Sequence, residues 1–229
     1  WGEEFIEANA QQAEFPFLAI NIYDRDTNEQ VEYCQSSVLV DSGEAQVGII
    51  GAIGDCYSSI ASDHTKGIYF KTGAELTQLV KNESKALREQ GADFIVYVLH
   101  DGYGQSRGEN VKVVDGSQLK SYYDISLSDG YVDLVFEGHT HQKYLLRDEH
   151  GVFHLQNGGD NDGICHTEVT LNTANGNQNV YQKELMSIDY FTAFRDDPIV
   201  EQLLEKYADD LALVREVLGT ATRKYTGSE

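Results

Sequence analysis

Two histidines one residue apart, His139 and His141, follow the apolar run Val132-Asp133-Leu134-Val135-Phe136 and the turn-forming Gly138. A third, His100, ends a second apolar run, Phe94-Ile95-Val96-Tyr97-Val98-Leu99, and leads into Asp101-Gly102. Short runs rich in Val, Leu, Ile and Phe that stop at Gly read as buried strands ending in turns. Open α/β sheets place their ligand sites beyond the carboxyl ends of their strands, where these histidines fall. Neutral imidazole nitrogen is a ligand for Zn, Mn, Fe or Ni. An HxH turn presents two rings near one point and can serve one ion or two ions about 3.5–4 Å apart. The competing reading of HxH alone is a polar surface pair. His100 at a matching strand end tips the balance, and His100, His139 and His141 are expected to be metal ligands of a hydrolytic site.

The elements that must position them follow from periodicity. Val47 to Gly54 is a continuous apolar strand. Ala74 to Gln90 repeats Leu76, Leu79, Val80 and Leu87 at helical spacing and stops at Gly91. With the strand at 93–99 these form a βαβ unit with parallel strands and a right-handed crossover. Ahead of it, a short helix is expected over Glu3 to Gln12, strands over 15–23 and 31–40, and a hairpin turn at Asp41-Ser42-Gly43-Glu44. Residues 55–72 read as a loop and a candidate rim of the site. A helix near Ser117 to Ser126 leads into the strand that ends before Gly138. From Lys143 the pattern becomes an antiparallel meander over 143–147, 152–156, 164–171 and 180–188. Pro198 to Leu218 reads as one amphipathic helix, with Asp196 and Asp197 at its positive end. The fold class expected is α/β with α+β elements, a layered sandwich of mixed sheets flanked by helices.

Composition bounds the rest. The 229 residues are 41% hydrophobic and 10% aromatic, enough for a packed core. The net charge of −21 argues against duplex nucleic acid as a partner but not against a small phosphoester, because bound metal ions reverse the local potential. Cys34, Cys56 and Cys165 are widely spaced, form no CxxC pair and read as small buried or half-buried residues. No run approaches the roughly 18 apolar residues of a membrane span. Trp1 in place of Met suggests a start inside a longer protein.

The strand-His-Asp-Gly at 94–102, the strand-Gly-His-Thr-His at 132–141 and Leu155-Gln156-Asn157-Gly158-Gly159 together resemble the calcineurin-like metallophosphoesterases. Within them the chain is most similar to the 5′-nucleotidase and 2′,3′-cyclic nucleotide phosphodiesterase branch. The resemblance covers most of the chain and includes FPFLAINIYD, VGIIGAIG and GIYF. It implies two divalent ions, Zn, Mn or similar, with His100 and His139 on one and His141 on the other. It implies hydrolysis of a nucleotide or related phosphoester by metal-activated hydroxide, in an extracellular, periplasmic or cell-wall setting. The family's other ligands come from Asp-x-His, Gly-Asp-x-x-Asp and Gly-Asn-His motifs that precede the segment matching Trp1 to Phe5. Its catalytic His lies there too. On this reading residues 1–190 are a partial catalytic domain, and 191–229 a linker helix toward a nucleotide-binding domain. The chain alone is expected to hold at most one ion, weakly, and to show little phosphatase activity.

Asp101 and Asn157 are candidates to orient ligands or substrate, and Arg107 to contact phosphate from the Gly-rich loop that follows His100. Each has a plain alternative as a turn or solvated residue. His64, His150, His154 and His166 are expected to be surface or strand residues rather than ligands. Asp160-Asn161-Asp162-Gly163 lacks the later Glu of a calcium loop and reads as a turn. Two other function classes fit less well: a non-catalytic binding module with a vestigial metal site, and an acidic metal-sequestering protein. Apolar sheet faces without their upstream strands should promote self-association. Gel filtration is expected to show species larger than a monomer; a well-behaved monomer would contradict this.

Overall fold

A computed structural model describes residues 2–103, 123–159, 163–172, 177–187, 189 and 194–214. The chain divides into two compact units, Trp1–Ile188 and Asp189–Glu229. Among the described residues the first unit holds ten strands: β1 (Ile22–Asp24), β2 (Ser37–Asp41), β3 (Gln46–Ile53), β4 (Ile68–Phe70), β5 (Phe94–His100), β6 (Leu134–Glu137), β7 (Lys143–Arg147), β8 (Phe153–Asn157), β9 (Gly163–Asn172) and β10 (Asn177–Ser187). Helices α1 (Glu3–Gln12) and α2 (Gly73–Glu89) complete the described regular structure of this unit, with short 3-10 turns between.

Six strands form the main sheet in the order β2-β3-β5-β6-β8-β7. The four central strands, β3, β5, β6 and β8, are mutually parallel, and the edges β2 and β7 are antiparallel. The expected βαβ unit is present as β3-α2-β5. Leu76, Val80, Ser84 and Leu87 are the buried positions of α2, three and four apart, so one stripe of the helix faces the sheet. That stripe packs on Ile50, Ala52, Ile95, Tyr97, Leu99 and Val135. The opposite sheet face carries Phe94, Leu134 and Leu155 against Cys165, Val169 and Leu171 of β9.

Strand alternation sorts the functional residues onto these faces. On β5 the residues Ile95, Tyr97 and Leu99 join the α2 face, so Phe94, Val96, Val98 and His100 point the other way. On β8 the apolar Phe153 and Leu155 join the β9 face, which sends His154 and Gln156 to the α2 side. Both faces are covered, so these two polar residues are buried rather than solvated.

Five expectations change. Residues 55–72, expected as a loop, hold two 3-10 turns and the strand β4, which pairs with β1. The run 15–23 is a strand only at Ile22–Asp24, which pairs with β4. The preceding residues instead cross over β3: Ile20 N donates to the Gly51 carbonyl at 2.8 Å, and a Cβ on Gly51 would lie 2.6 Å from the Leu18 carbonyl oxygen. The expected strand 31–40 is a strand only from Ser37. The four-stranded meander splits, because both edges of β8 are taken by β6 and β7; β9 and β10 form a separate antiparallel ribbon. In its described part the expected helix over 198–218 is two, Pro198–Glu205 and Ala208–Val214, and 215–218 lie outside the described residues. Lys206 N and Tyr207 N bond carbonyls three residues back and tighten the last turn of the first. Asp197 Oδ1 caps that helix, accepting from Ile199 N at 2.8 Å. Most of the expected helix near 117–126 lies outside the described residues; Ile125–Ser128 is a 3-10 turn.

Candidate metal centre

Three parallel strands end side by side, and residues at or just past their ends make the site. Ile53 of β3 is in register with His100, and Leu99 of β5 with Glu137 of β6. Asn21, fully buried, clamps the end of β3 by bonding both the amide and the carbonyl of Ile53. The chain then turns back on β5: Gly54 N and the Cys56 thiol both donate to the His100 carbonyl, at 3.2 and 2.7 Å. Asp101, 1% exposed, accepts from Cys56 N at 3.2 Å and from Gly102 N at 2.8 Å. Its carboxylate thus fastens the turn after β3 to the end of β5, and its backbone carbonyl accepts from Gly138 N at 2.9 Å.

The ligand atoms of Cys56, His100 and His139 all lie within 4.8 Å of one another. The His100 and His139 rings meet edge to face with centroids 5.4 Å apart. His100 and His139 are exposed, while Cys56 is buried. Lost hydration lowers the His100 pKa, and His139 and His141 add to the effect against the opposing pull of Asp101. A His held neutral presents the lone pair a metal needs. Burial, and then the nearby Asp101 carboxylate, pushes the Cys56 thiol up to about 12, so the metal-free sulfur is protonated. His141 stands outside this group of three. Its ring fills the space where a Cβ on Gly159 would sit, with Cγ 2.1 Å from that point.

The turn that carries the two histidines is unusual in its backbone. His139 and His141 have φ of +62° and +56°, in the left-handed region that costs non-glycine residues of order 1–3 kcal/mol each. What holds it is Thr140, which donates to the Tyr103 carbonyl and accepts from Gln156 Nε2, both at 2.9 Å. Gln156 Oε1 accepts from Gln142 N, and its Nε2 also reaches Tyr144 Oη at 3.0 Å. Tyr144 in turn donates to Glu137 at 2.8 Å. Glu137 Oε2 faces His154 Nδ1 at 3.5 Å, and His154 Nε2 meets Asp148 at 3.3 Å. A buried polar ladder therefore runs from Asp148 to the histidine turn.

Of the residues singled out in the sequence, His100 and His139 come together, and His141 stands outside their group. Asp101 is at the site but is directed to backbone amides rather than to the His100 ring. Asn157 ends β8 opposite Lys143. Arg107 and most of the Gly-rich loop lie outside the described residues. His64 is an exposed residue in a 3-10 turn, His150 pairs with Asp129 at 2.9 Å, and His166 is in β9; none joins the group of three. Asp148-Glu149-His150 spells Asp-x-His, but its Asp is committed to His154 and Ser128. Cys56 was missed. The rule that found His100, a residue just past a parallel strand, also points to it, since it stands three residues beyond β3.

No family model matches the sequence, and no curated protein matches it. Solved structures do match the fold. A putative 5′-nucleotidase of Staphylococcus aureus superposes with a TM-score of 0.67 at 18% identity over 91% of this chain. The sulfate thiohydrolase SoxB of Thermus thermophilus gives 0.66 at 18% over 92%, and the calcineurin-like phosphoesterase YfkN of Bacillus subtilis 0.66 at 14% over 94%. The chain spans 39%, 35% and 68% of those proteins, respectively. With its mixed sheet, flanking helices and strand-end histidines, the chain has the calcineurin-like phosphoesterase fold, the fold it shares with 5′-nucleotidases.

Proposed function

We propose that this chain forms the histidine wall of a metal-dependent phosphoesterase site that hydrolyses nucleotides, as a 5′-nucleotidase or a 2′,3′-cyclic nucleotide phosphodiesterase. The observation that carries the reading is the convergence of His100 and His139 at the ends of adjacent parallel strands, in a fold shared with 5′-nucleotidases. The donors fit a metal: two imidazoles on exposed residues whose nitrogens, with the Cys56 sulfur, lie within 4.8 Å of one another. In this reading His100 and His139 hold one ion and His141 the other. Bound divalent ions supply Lewis acidity, neutralising phosphoryl oxygens and activating the attacking water. Asp101 fixes the floor by holding the backbone at Cys56 and Gly102. Thr140, Gln156 and Tyr144 keep the strained histidine turn in place, so its backbone does not need to reorganise when an ion arrives.

Among the described residues, the group of three holds no carboxylate. On the family resemblance, in which the remaining ligand motifs precede the segment matching Trp1 to Phe5, we propose that upstream residues would supply the carboxylate shared by paired ions and the group that would protonate the leaving oxygen. With Mn2+ or Zn2+ added, phosphate release from nucleoside 5′-monophosphates and 2′,3′-cyclic nucleotides is expected to stay near background for the 229-residue chain. It should rise steeply once the chain is extended upstream. Robust turnover by this chain alone would contradict the division of the site, and no turnover by the extended protein would contradict the nucleotidase reading. The lack of a carboxylate in the group also favours one second reading, a non-catalytic module with a vestigial metal site; the extended protein decides between them. An exported location belongs to the first reading, tested by accessibility of the protein on intact cells.

A further inference from the structure

Cys56 gives the wall a donor of a different chemical kind. It lies at the bottom of the site, with its sulfur on the His100 carbonyl and its amide on the Asp101 carboxylate. Cys56 is thus fixed at two points by the first histidine and the residue that follows it. Above it, His100 and His139 present nitrogen donors, and all three donor atoms fit within 4.8 Å. Bonds of about 2.0–2.3 Å from one tetrahedral ion set its donors roughly 3.5 Å apart, so with the backbone of the histidine turn held in place a modest rotation of the two exposed imidazole side chains closes the group. His100 and His139 are both exposed residues, so solvent reaches this side of the group.

We propose that Cys56, His100 and His139 form a mononuclear site of one thiolate and two imidazoles for a thiophilic divalent cation, with Zn2+, Co2+ and Cd2+ preferred over Mn2+ and Mg2+. The inference rests on the reading of His100 and His139 as ligands and adds the sulfur. A soft thiolate selects Zn2+ or Cd2+, whereas hard cations favour oxygen donors, and this group has no oxygen donor. Binding exchanges the thiol S–H bond for a sulfur–metal bond and releases the proton that now points at the His100 carbonyl. Three protein ligands and one solvent position are the coordination of catalytic rather than structural zinc.

Cobalt substitution reads the sulfur directly. Titrating the chain with Co2+ should produce an intense near-ultraviolet sulfur-to-cobalt charge-transfer band together with the visible bands of a tetrahedral ion. Cys56→Ser should lose the charge-transfer band and weaken Cd2+ binding by more than the roughly 10–100-fold expected for loss of an outer-shell partner. Bound Cd2+ should also protect Cys56, but neither Cys34 nor Cys165, from alkylation read by mass spectrometry. Cys56→Ala, with the native circular dichroism spectrum as a check, controls for folding. Co2+ binding that depends on His139, shows no charge-transfer band and is unaffected by Cys56→Ser would overturn the sulfur ligand and leave the histidine reading standing. Absence of any bound ion in the wild-type chain would overturn both.

Discussion

Replacing His154 by leucine is expected to destabilise the chain by about 3–5 kcal/mol, the usual consequence of removing one partner from a buried ion pair. His154 is wholly buried, as are the side chains of Glu137 and Asp148 on either side of it. Tyr123 packs edge-on against its ring, with centroids 4.6 Å apart. Burial alone would lower the imidazole pKa. The hydrogen bond to Asp148 and the Glu137 carboxylate overcome that and raise it to about 9, so the ring is a cation at neutral pH. Leucine keeps the volume but leaves two carboxylates in an apolar interior. The measurement is the shift in denaturant midpoint at constant slope.

The same triad sets a pH dependence whose sign follows from linkage. The folded pKa of His154 lies above its ordinary 6.5. Its contribution is therefore complete below about 6.5 and is lost as the pH rises through about 9. Asp148 moves the other way. Burial opposes its ionisation, but His154, Ser128 and the Val152 amide outweigh that and hold it below the ordinary 3.8, so its contribution is lost only in stronger acid. Stability should be greatest between about pH 4 and 6.5 and decline toward pH 9 in the wild-type chain. In His154→Leu that alkaline decline should vanish.

The second large effect is expected from one methyl group at Gly54. A Cβ there would stand 2.3 Å from Asp101 Oδ2 and 2.5 Å from Asp101 Cβ. The second contact matters most, because Asp101 Cβ is fixed by the backbone and cannot swing aside. Gly54→Ala must therefore separate the turn after β3 from the end of β5. Overpacking of this kind costs about 1–3 kcal/mol. Pulling the buried carboxylate off Cys56 N and Gly102 N adds the cost of an unsatisfied charge. Stability should fall, and ion binding at Cys56, His100 and His139 should weaken in the refolded variant. A variant with both properties unchanged would show that Asp101 does not hold this floor.

Much of this was legible in the residues. β3, α2, β5 and the HxH turn have strong local signals: continuous apolar strands, a helical stripe ended by Gly91, and glycine at the turn. The ends of three parallel strands then locate the site by topology alone. What the sequence concealed was set by tertiary partners. Phe153-His154-Leu155-Gln156 alternates apolar and polar, the pattern of a strand with one wet face. It is buried on both, and partners on neighbouring elements, Glu137, Asp148, Tyr144 and Thr140, make that tolerable. Residues 15–21 have strand composition, yet Gly51 lets them cross β3 rather than extend a ladder. Cys56 carries no motif, and its neighbours in space are 44 and 83 residues away in the chain.

Isothermal titration with Zn2+ of the wild-type chain and of a His100→Ala/His139→Ala double variant tests the metal wall most directly. One bound ion in the wild type, with binding lost in a double variant that keeps its native circular dichroism spectrum, is the predicted result. Identical isotherms for the two proteins would contradict the assignment of these histidines as metal ligands.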